Sequence, residues 1–257
     1  MYKKIRFHEV LLILIAVIIL IPVFYMFYCT IVPGGQQVSL ISYYEVLLSR
    51  PDYLIKFWKS VGLSAAIASG QTIVSCMAGT AFAKYSFTGK RLWFLAFMLF
   101  MILPIQVMLV PSYIIFDKLH MLNSWKALII PGIFSPFGTV WMTHVFQALP
   151  SEWLEAASLD GVGKVRGVLL IMMPAARPAV LSVFIFSFVE AWNMVEQPVN
   201  FLKDFSQYPL SVFVASVVEE SIGVQSVCGV LCLLPVTFLF LYYNNELMEG
   251  IGDDFWS

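Results

Sequence analysis

Charge is scarce in this chain. Asp, Glu, Lys and Arg make up 12% of the residues, against about 25% in an ordinary soluble domain. A water-facing surface of the size that 257 residues demand cannot be covered from so small a supply. The 15 basic and 16 acidic residues leave a net charge of −1, which removes the electrostatic basis for binding nucleic acid. His8, His120 and His144 are too scattered to suggest a metal site. Cys29, Cys76, Cys228 and Cys232 include no CxxC pair and lie in or beside apolar runs, as small packing residues do. No GxxxxGK[ST] loop occurs, because Gly89-Lys90 and Gly163-Lys164 have neither the upstream glycine nor the following hydroxyl. HExxH and GxSxG are also missing. No catalytic or metal-ligating constellation is legible, so the chain reads as a non-enzyme.

Apolar side chains are abundant. Hydrophobic residues reach 60%, with 22 Phe, and lipid is the solvent that suits them. A bilayer core needs about 20 apolar helical residues. Uncharged runs of that order recur at Val10–Tyr28, Ser60–Ala83, Leu92–Phe116, Ala127–Leu149, Pro178–Val195 and Ser221–Tyr243. The fifth is shorter and carries Glu190. Lys3, Lys4 and Arg6 precede the first run like the start of a signal peptide, but the run is long and Tyr25-Met26-Phe27-Tyr28 is no cleavage site, so it reads as an uncleaved anchor. The prediction is an all-α polytopic membrane protein with six transmembrane helices and both termini on one side.

Lys and Arg orient the bundle. With the termini in the cytoplasm, Lys3, Lys4, Arg6, Lys84, Lys90, Arg91, Lys164, Arg166 and Arg177 lie inside, while Arg50, Lys56, Lys59, Lys118, Lys126 and Lys203 lie outside. The expected organisation has an N-terminal segment with the first helix and outer loop over residues 1–59 and a core over 60–243. That core includes a cytoplasmic loop at 147–177, and a cytoplasmic tail follows at 244–257. In the second run, Ser60, Ser64, Ala68, Thr72, Cys76 and Thr80 recur every fourth residue, a strip of small side chains that predicts an interior helix. Pro104 and Pro111 predict a bend in the third.

The loop between the fourth and fifth runs is the most specific segment. Ser151 is placed to cap a short helix of about 10 residues, Glu152 and Glu155 favour its positive end, and Gly161 is placed to stop it in a left-handed turn. Gly163 loosens the exit. Trp153, Leu154 and Ala157 give it an apolar side. Glu155-Ala156-Ala157, Gly161, Ile171 and Pro174 have the spacing of the EAA loop. In this the chain resembles the permeases of binding-protein-dependent ABC importers. Glu155-Ala156-Ala157-Ser158-Leu159-Asp160-Gly161 is similar to the carbohydrate-uptake branch, of the smaller maltose-permease type; Met173 replaces its usual Leu.

The resemblance implies a coupling helix that docks in a cleft of a cytoplasmic ATPase, carried by Glu155, Ala156, Ala157, Ser158, Leu159, Asp160, Gly161 and Gly163. It implies a second, different permease chain, two ATPase subunits that bind ATP and Mg, and an extracytoplasmic solute-binding protein. The setting is a bacterial or archaeal cell membrane. Glu190, Trp192, Asn193 and Gln197 are candidates to line the solute path, since sugars are held by aromatic faces with amide and carboxylate hydrogen bonds. Glu190 as a snorkelling group and Trp192 as an interfacial anchor stand beside that reading. A permease for another solute is the nearest alternative. A secondary transporter is more distant, as no inverted repeat is legible.

Overall fold

The computed structural model describes residues 7–35, 37–49, 51–216 and 221–251. The basic cluster Lys3, Lys4 and Arg6, the outer-loop Arg50, the end of the outer segment at 217–220 and the last residues, Asp253 to Trp256 among them, lie outside the described residues. Among those described, every regular element is helical. The first half holds α1 (Phe7–Ile31), α2 (Pro51–Lys84), α3 (Lys90–Ile102), α4 (Ile105–Lys118), α5 (Lys126–Ile133) and α6 (Pro136–Ala148). The short α7 (Glu152–Leu159) comes next, then α8 (Lys164–Ala175), α9 (Arg177–Trp192) and α10 (Glu196–Phe201). The last are α11 (Ile222–Tyr242) and α12 (Asn244–Ile251). The chain forms two compact units, one of residues 1–57 with 213–234 and one of 58–212 with 235–257.

In the first unit, α1 is apolar on all sides, and Leu12, Ile19 and Phe24 are exposed. A helix of this kind is stable only in lipid. Its close neighbour in the unit is the start of α11. A side-chain carbon added at Gly229 would lie 2.7 Å from Met26 Sδ, and one at Gly223 would lie 2.9 Å from Pro33 Cβ. The Tyr53 hydroxyl donates to the Cys228 carbonyl at 3.0 Å. Cys228 is thus a buried packing residue.

In the second unit, α2 is the central post. Ser60, Ser64, Ala68, Thr72, Cys76 and Thr80 are all buried, as their four-residue spacing predicts. Close approach is visible against α5 and α6. A carbon added at Gly79 would lie 2.8 Å from Met142 Cβ and 2.9 Å from the Met142 carbonyl carbon. One added at Gly132 would lie 2.9 Å from Ile67, and Gly138 abuts the Ser75 side chain. Small residues thus replace the side chains that would hold the helices apart. Three buried threonine hydroxyls are satisfied within their own helix: Thr72 donates to Ala68 O at 2.7 Å, Thr80 to Cys76 O at 2.8 Å, and Thr143 to Thr139 O at 2.7 Å.

Four helical stretches, Leu11–Ile31, Asp52–Lys84, Lys126–Ala148 and Ile222–Tyr242, are long and apolar enough to cross a membrane. Two further pairs pass together but are sharply bent: α3 with α4 by 107°, and α8 with α9 by 96°. The count reaches six when each bent pair is one span. The bend expected in the third run is present and is sharp enough to break the helix. Pro104 offers no N–H and forces Leu103 out of the helical region, to φ −68 and ψ 125. Pro111 is carried inside α4 without interrupting it. The fifth run starts earlier than expected, because helix begins at Lys164 and turns at Ala176, between Pro174 and Pro178. α12 folds back along α9, with Leu247 buried and Glu246 3.8 Å from Arg177.

Candidate functional site

Two places in the second unit are built unlike ordinary helix packing. The first is the loop around α7. Leu149 is extended before Pro150, which ends α6, and Lys84 Nζ donates to the Leu149 carbonyl, tying that end to the end of α2. Ser151 does not cap the helix as expected. It sits in the helical region (φ −73, ψ −28), where its hydroxyl cannot face the free amides, and its carbonyl instead accepts from Leu154 N at 3.1 Å and Glu155 N at 3.2 Å. The helix has 8 residues, shorter than the ten expected, because its C-terminal closure comes early. Val162 N donates to Ala157 O at 2.9 Å and Gly161 N to Ser158 O at 3.2 Å, around Gly161 at φ +78. That left-handed closure needs glycine, since another residue would strain the backbone by about 1–2 kcal/mol. Gly163 is extended and starts α8.

The expected apolar side of α7 divides. Ala157 is buried and Leu154 packs on Gly167, whereas Trp153 is exposed. Glu152, Glu155, Ala156, Ser158 and Asp160 are also exposed, and Leu159 is 89% exposed. Behind the helix lies a cavity of 270 Å³ whose lining includes Lys84, Tyr85, Glu155 and Lys164. Lys164 Nζ sits over the Tyr85 ring at 4.9 Å. α7 is therefore held by its inner face and bare on its outer face.

The second place is a larger cavity of 630 Å³, within the range of small-molecule sites, about 300–1,000 Å³. Two helix breaks open onto it: Leu103, between α3 and α4, and Phe134 with Ser135, between α5 and α6. Ser135 is extended at φ −99 and ψ 127. Irregular backbone at membrane depth is tolerated where it is enclosed by protein or lines a wet cavity, so two such breaks on one cavity mark it as more than a packing fault. Glu190 and Gln197 line it. Trp192 does not: it is buried and stacked on Phe188 with ring centroids 5.9 Å apart. Asn193 is exposed elsewhere, its amide donating to Val189 O at 2.8 Å.

Two groups carry no signal in the apolar pattern. Gln71, on α2, is 3% exposed and lines the large cavity, and its side chain makes no hydrogen bond among the described residues. A single amide in the middle of an apolar run was its only trace. Asn123, in the turn after α4, sits at φ +55. Its Oδ1 accepts from Lys203 N at 3.0 Å and Asp204 N at 3.1 Å, and its own N–H donates to Phe201 O at 2.8 Å. Trp125 Nε1 donates to Gln207 O at 3.1 Å beside it. This clasp fixes the loop after α10 to the turn before α5. No group of three or more His, Cys, Asp or Glu among the described residues is placed to hold a metal ion.

Comparison with known proteins gives a consistent picture. The model of the family described as "binding-protein-dependent transport system inner membrane component" matches residues 71–245. The arabinooligosaccharides transport system permease protein AraQ of Halalkalibacterium halodurans is 23% identical over 225 residues, 86% of this chain and 81% of that protein. The sn-glycerol-3-phosphate transport system permease protein UgpE of Yersinia enterocolitica is 26% identical over 233 residues, 87% of this chain and 83% of that one. A chain in the crystal structure of a bacterial ABC transporter involved in the import of the acidic polysaccharide alginate has the same fold. Its TM-score is 0.81 at 17% identity, over 93% of this chain and 95% of that one.

Proposed function

The chain belongs to the family of binding-protein-dependent transport system inner membrane components, and from that premise we propose that it is the permease subunit of an ATP-driven importer of a sugar or oligosaccharide. The name of one relative, an arabinooligosaccharide permease, supports carbohydrate as the cargo class, beside a second named for sn-glycerol-3-phosphate. The chain forms half of a translocation path with a second, different permease chain, in six spans of which two are broken. Both termini and α7 face the cytoplasm. ATP and Mg are bound by two separate ATPase subunits, and an extracytoplasmic binding protein delivers the solute.

The observation that carries this reading is the two-faced mounting of α7. Leu154 packs on Gly167 of α8 and Ala157 is buried, while Leu159 stands almost wholly free at its tip. An exposed leucine beside an exposed alanine, ringed by Glu152, Glu155 and Asp160, suits a cleft with an apolar floor and a basic rim. Lys84 ties this mount to α2, and α8 leads from it directly into the 96° bend before α9. A push on α7 is thereby delivered to two helices that also border the large cavity. Movement of the ATPases becomes movement of the path wall.

The test is reconstitution of the assembled transporter in vesicles, comparing wild type with Leu159→Asp. Because Leu159 touches almost nothing of its own chain, the variant inserts and folds normally. The expected result is loss of the ATPase subunits on purification and loss of ATP-driven uptake. Uptake at the wild-type rate by the variant would overturn the coupling assignment.

A further inference from the structure

Resting on the import reading above, we propose that the large cavity touches the cargo and selects uncharged, hydroxyl-bearing solutes over anionic ones, with Gln71 and Glu190 as the polar contacts. The relatives do not decide this, since their names include an arabinooligosaccharide, a sugar-alcohol phosphate and an acidic polysaccharide. The lining does. Among the described residues that line it, Glu190 is the sole charged side chain, and there is no Lys, Arg or His. The residue before the lining Gln197 is a second carboxylate, Glu196, whose Oε1 accepts from Gln106 Nε2 at 2.8 Å while its Oε2 is buried without a partner.

A phosphate or uronate entering here would meet a carboxyl group and no counter-charge from this chain, inside walls of low dielectric where an uncompensated anion is costly. A neutral sugar meets the opposite situation. Its hydroxyls can hydrogen-bond to the Glu190 carboxyl oxygens on the cavity lining. Gln71 presents an amide that is buried, aimed into the cavity and unsatisfied by protein, so a ligand hydroxyl completes bonds that are otherwise unmade. Phe100, Phe134 and Phe137 on the same lining supply flat apolar faces for the carbon-hydrogen faces of sugar rings. The breaks at Leu103 and Phe134–Ser135 bring main chain to the lining and add no net charge.

The experiment uses the full transporter in vesicles, with its binding protein, and two sets of labelled probes. Arabinotriose, maltotriose and glycerol are neutral; sn-glycerol-3-phosphate and a trimeric oligouronate are anionic. The expected result is ATP-driven uptake of at least one neutral probe and of neither anionic one. Glu190→Gln and Gln71→Met, which keep side-chain size, raise KM for that probe by about 10-fold, the worth of one lost hydrogen bond to a bound ligand. Glu190→Lys lowers neutral uptake further. Uptake of an anionic probe by the wild type overturns the charge selection while leaving carbohydrate import standing. Uptake of a neutral probe with KM unchanged in both size-conserving variants overturns the contact assignment. If none of the probes moves while ATP is still hydrolysed, the carbohydrate reading itself fails.

Discussion

Gly79 gives the sharpest prediction about how the spans are held together. An added methyl at this position would stand 2.8 Å from Met142 Cβ, 2.9 Å from the Met142 carbonyl carbon and 3.0 Å from Thr143 N. Carbon atoms rest at about 3.5–4.0 Å, so α2 and α6 must part by roughly 0.7–1 Å, and two of the three obstructing atoms are backbone that cannot rotate away. Gly62, on the same helix, has nothing within 4 Å of its added carbon. Both alanine substitutions gain the same intrinsic helix preference, about 1 kcal/mol, so their difference isolates the clash. That difference is expected to be about 1–3 kcal/mol, or a gap in unfolding midpoint of about 2–12 °C for a chain of this size. Thermal unfolding of the purified chain in detergent, followed by the fluorescence of its 7 Trp, measures it. If Gly79→Ala unfolds at or above the temperature of Gly62→Ala, the close-contact account of the α2–α6 interface is wrong.

Other substitutions test other parts. Gly161→Leu strains a backbone held at φ +78 in open space; it is expected to leave insertion intact and to lower uptake per ATP hydrolysed. Asn123→Ala removes two accepted hydrogen bonds and a side chain that tolerates positive φ; a loss of about 1–3 kcal/mol is expected in thermal unfolding, with Asn123→Gly recovering the backbone share only. Leu247→Ala, at a buried position on α12, is expected to cost about 2–4 kcal/mol in the same assay. Glu246→Ala breaks only the largely exposed pair with Arg177 and is expected to cost less than about 1 kcal/mol.

The parts of the fold governed by local pattern were legible in the sequence. The strip from Ser60 to Thr80 announced a buried face through its spacing alone, and all six side chains are buried. Gly161 announced a left-handed stop, and its backbone adopts one. What local pattern could not convey is where breaks in different spans meet. Pro104 and Pro136 lie far apart in sequence, yet the interruptions beside them open on a single cavity. Gln71 went unnoticed for the same reason, since an amide in an apolar run gains meaning only from what it faces. Trp192 and Asn193 sit within three residues of Glu190, but the helix turns them away from the cavity that Glu190 lines. Ser151 had the right identity for a cap and the wrong backbone angles.

The central claim is that the outer face of α7 meets a nucleotide-hydrolysing partner. It is tested most directly by placing a photo-activatable amino acid at position 159, and as a control at 38, where Val38 is 76% exposed, and irradiating the assembled transporter in membranes. The account predicts an adduct with the ATPase subunit from position 159 and none from position 38. No ATPase adduct from position 159, or an adduct there with the extracytoplasmic binding protein, would contradict it.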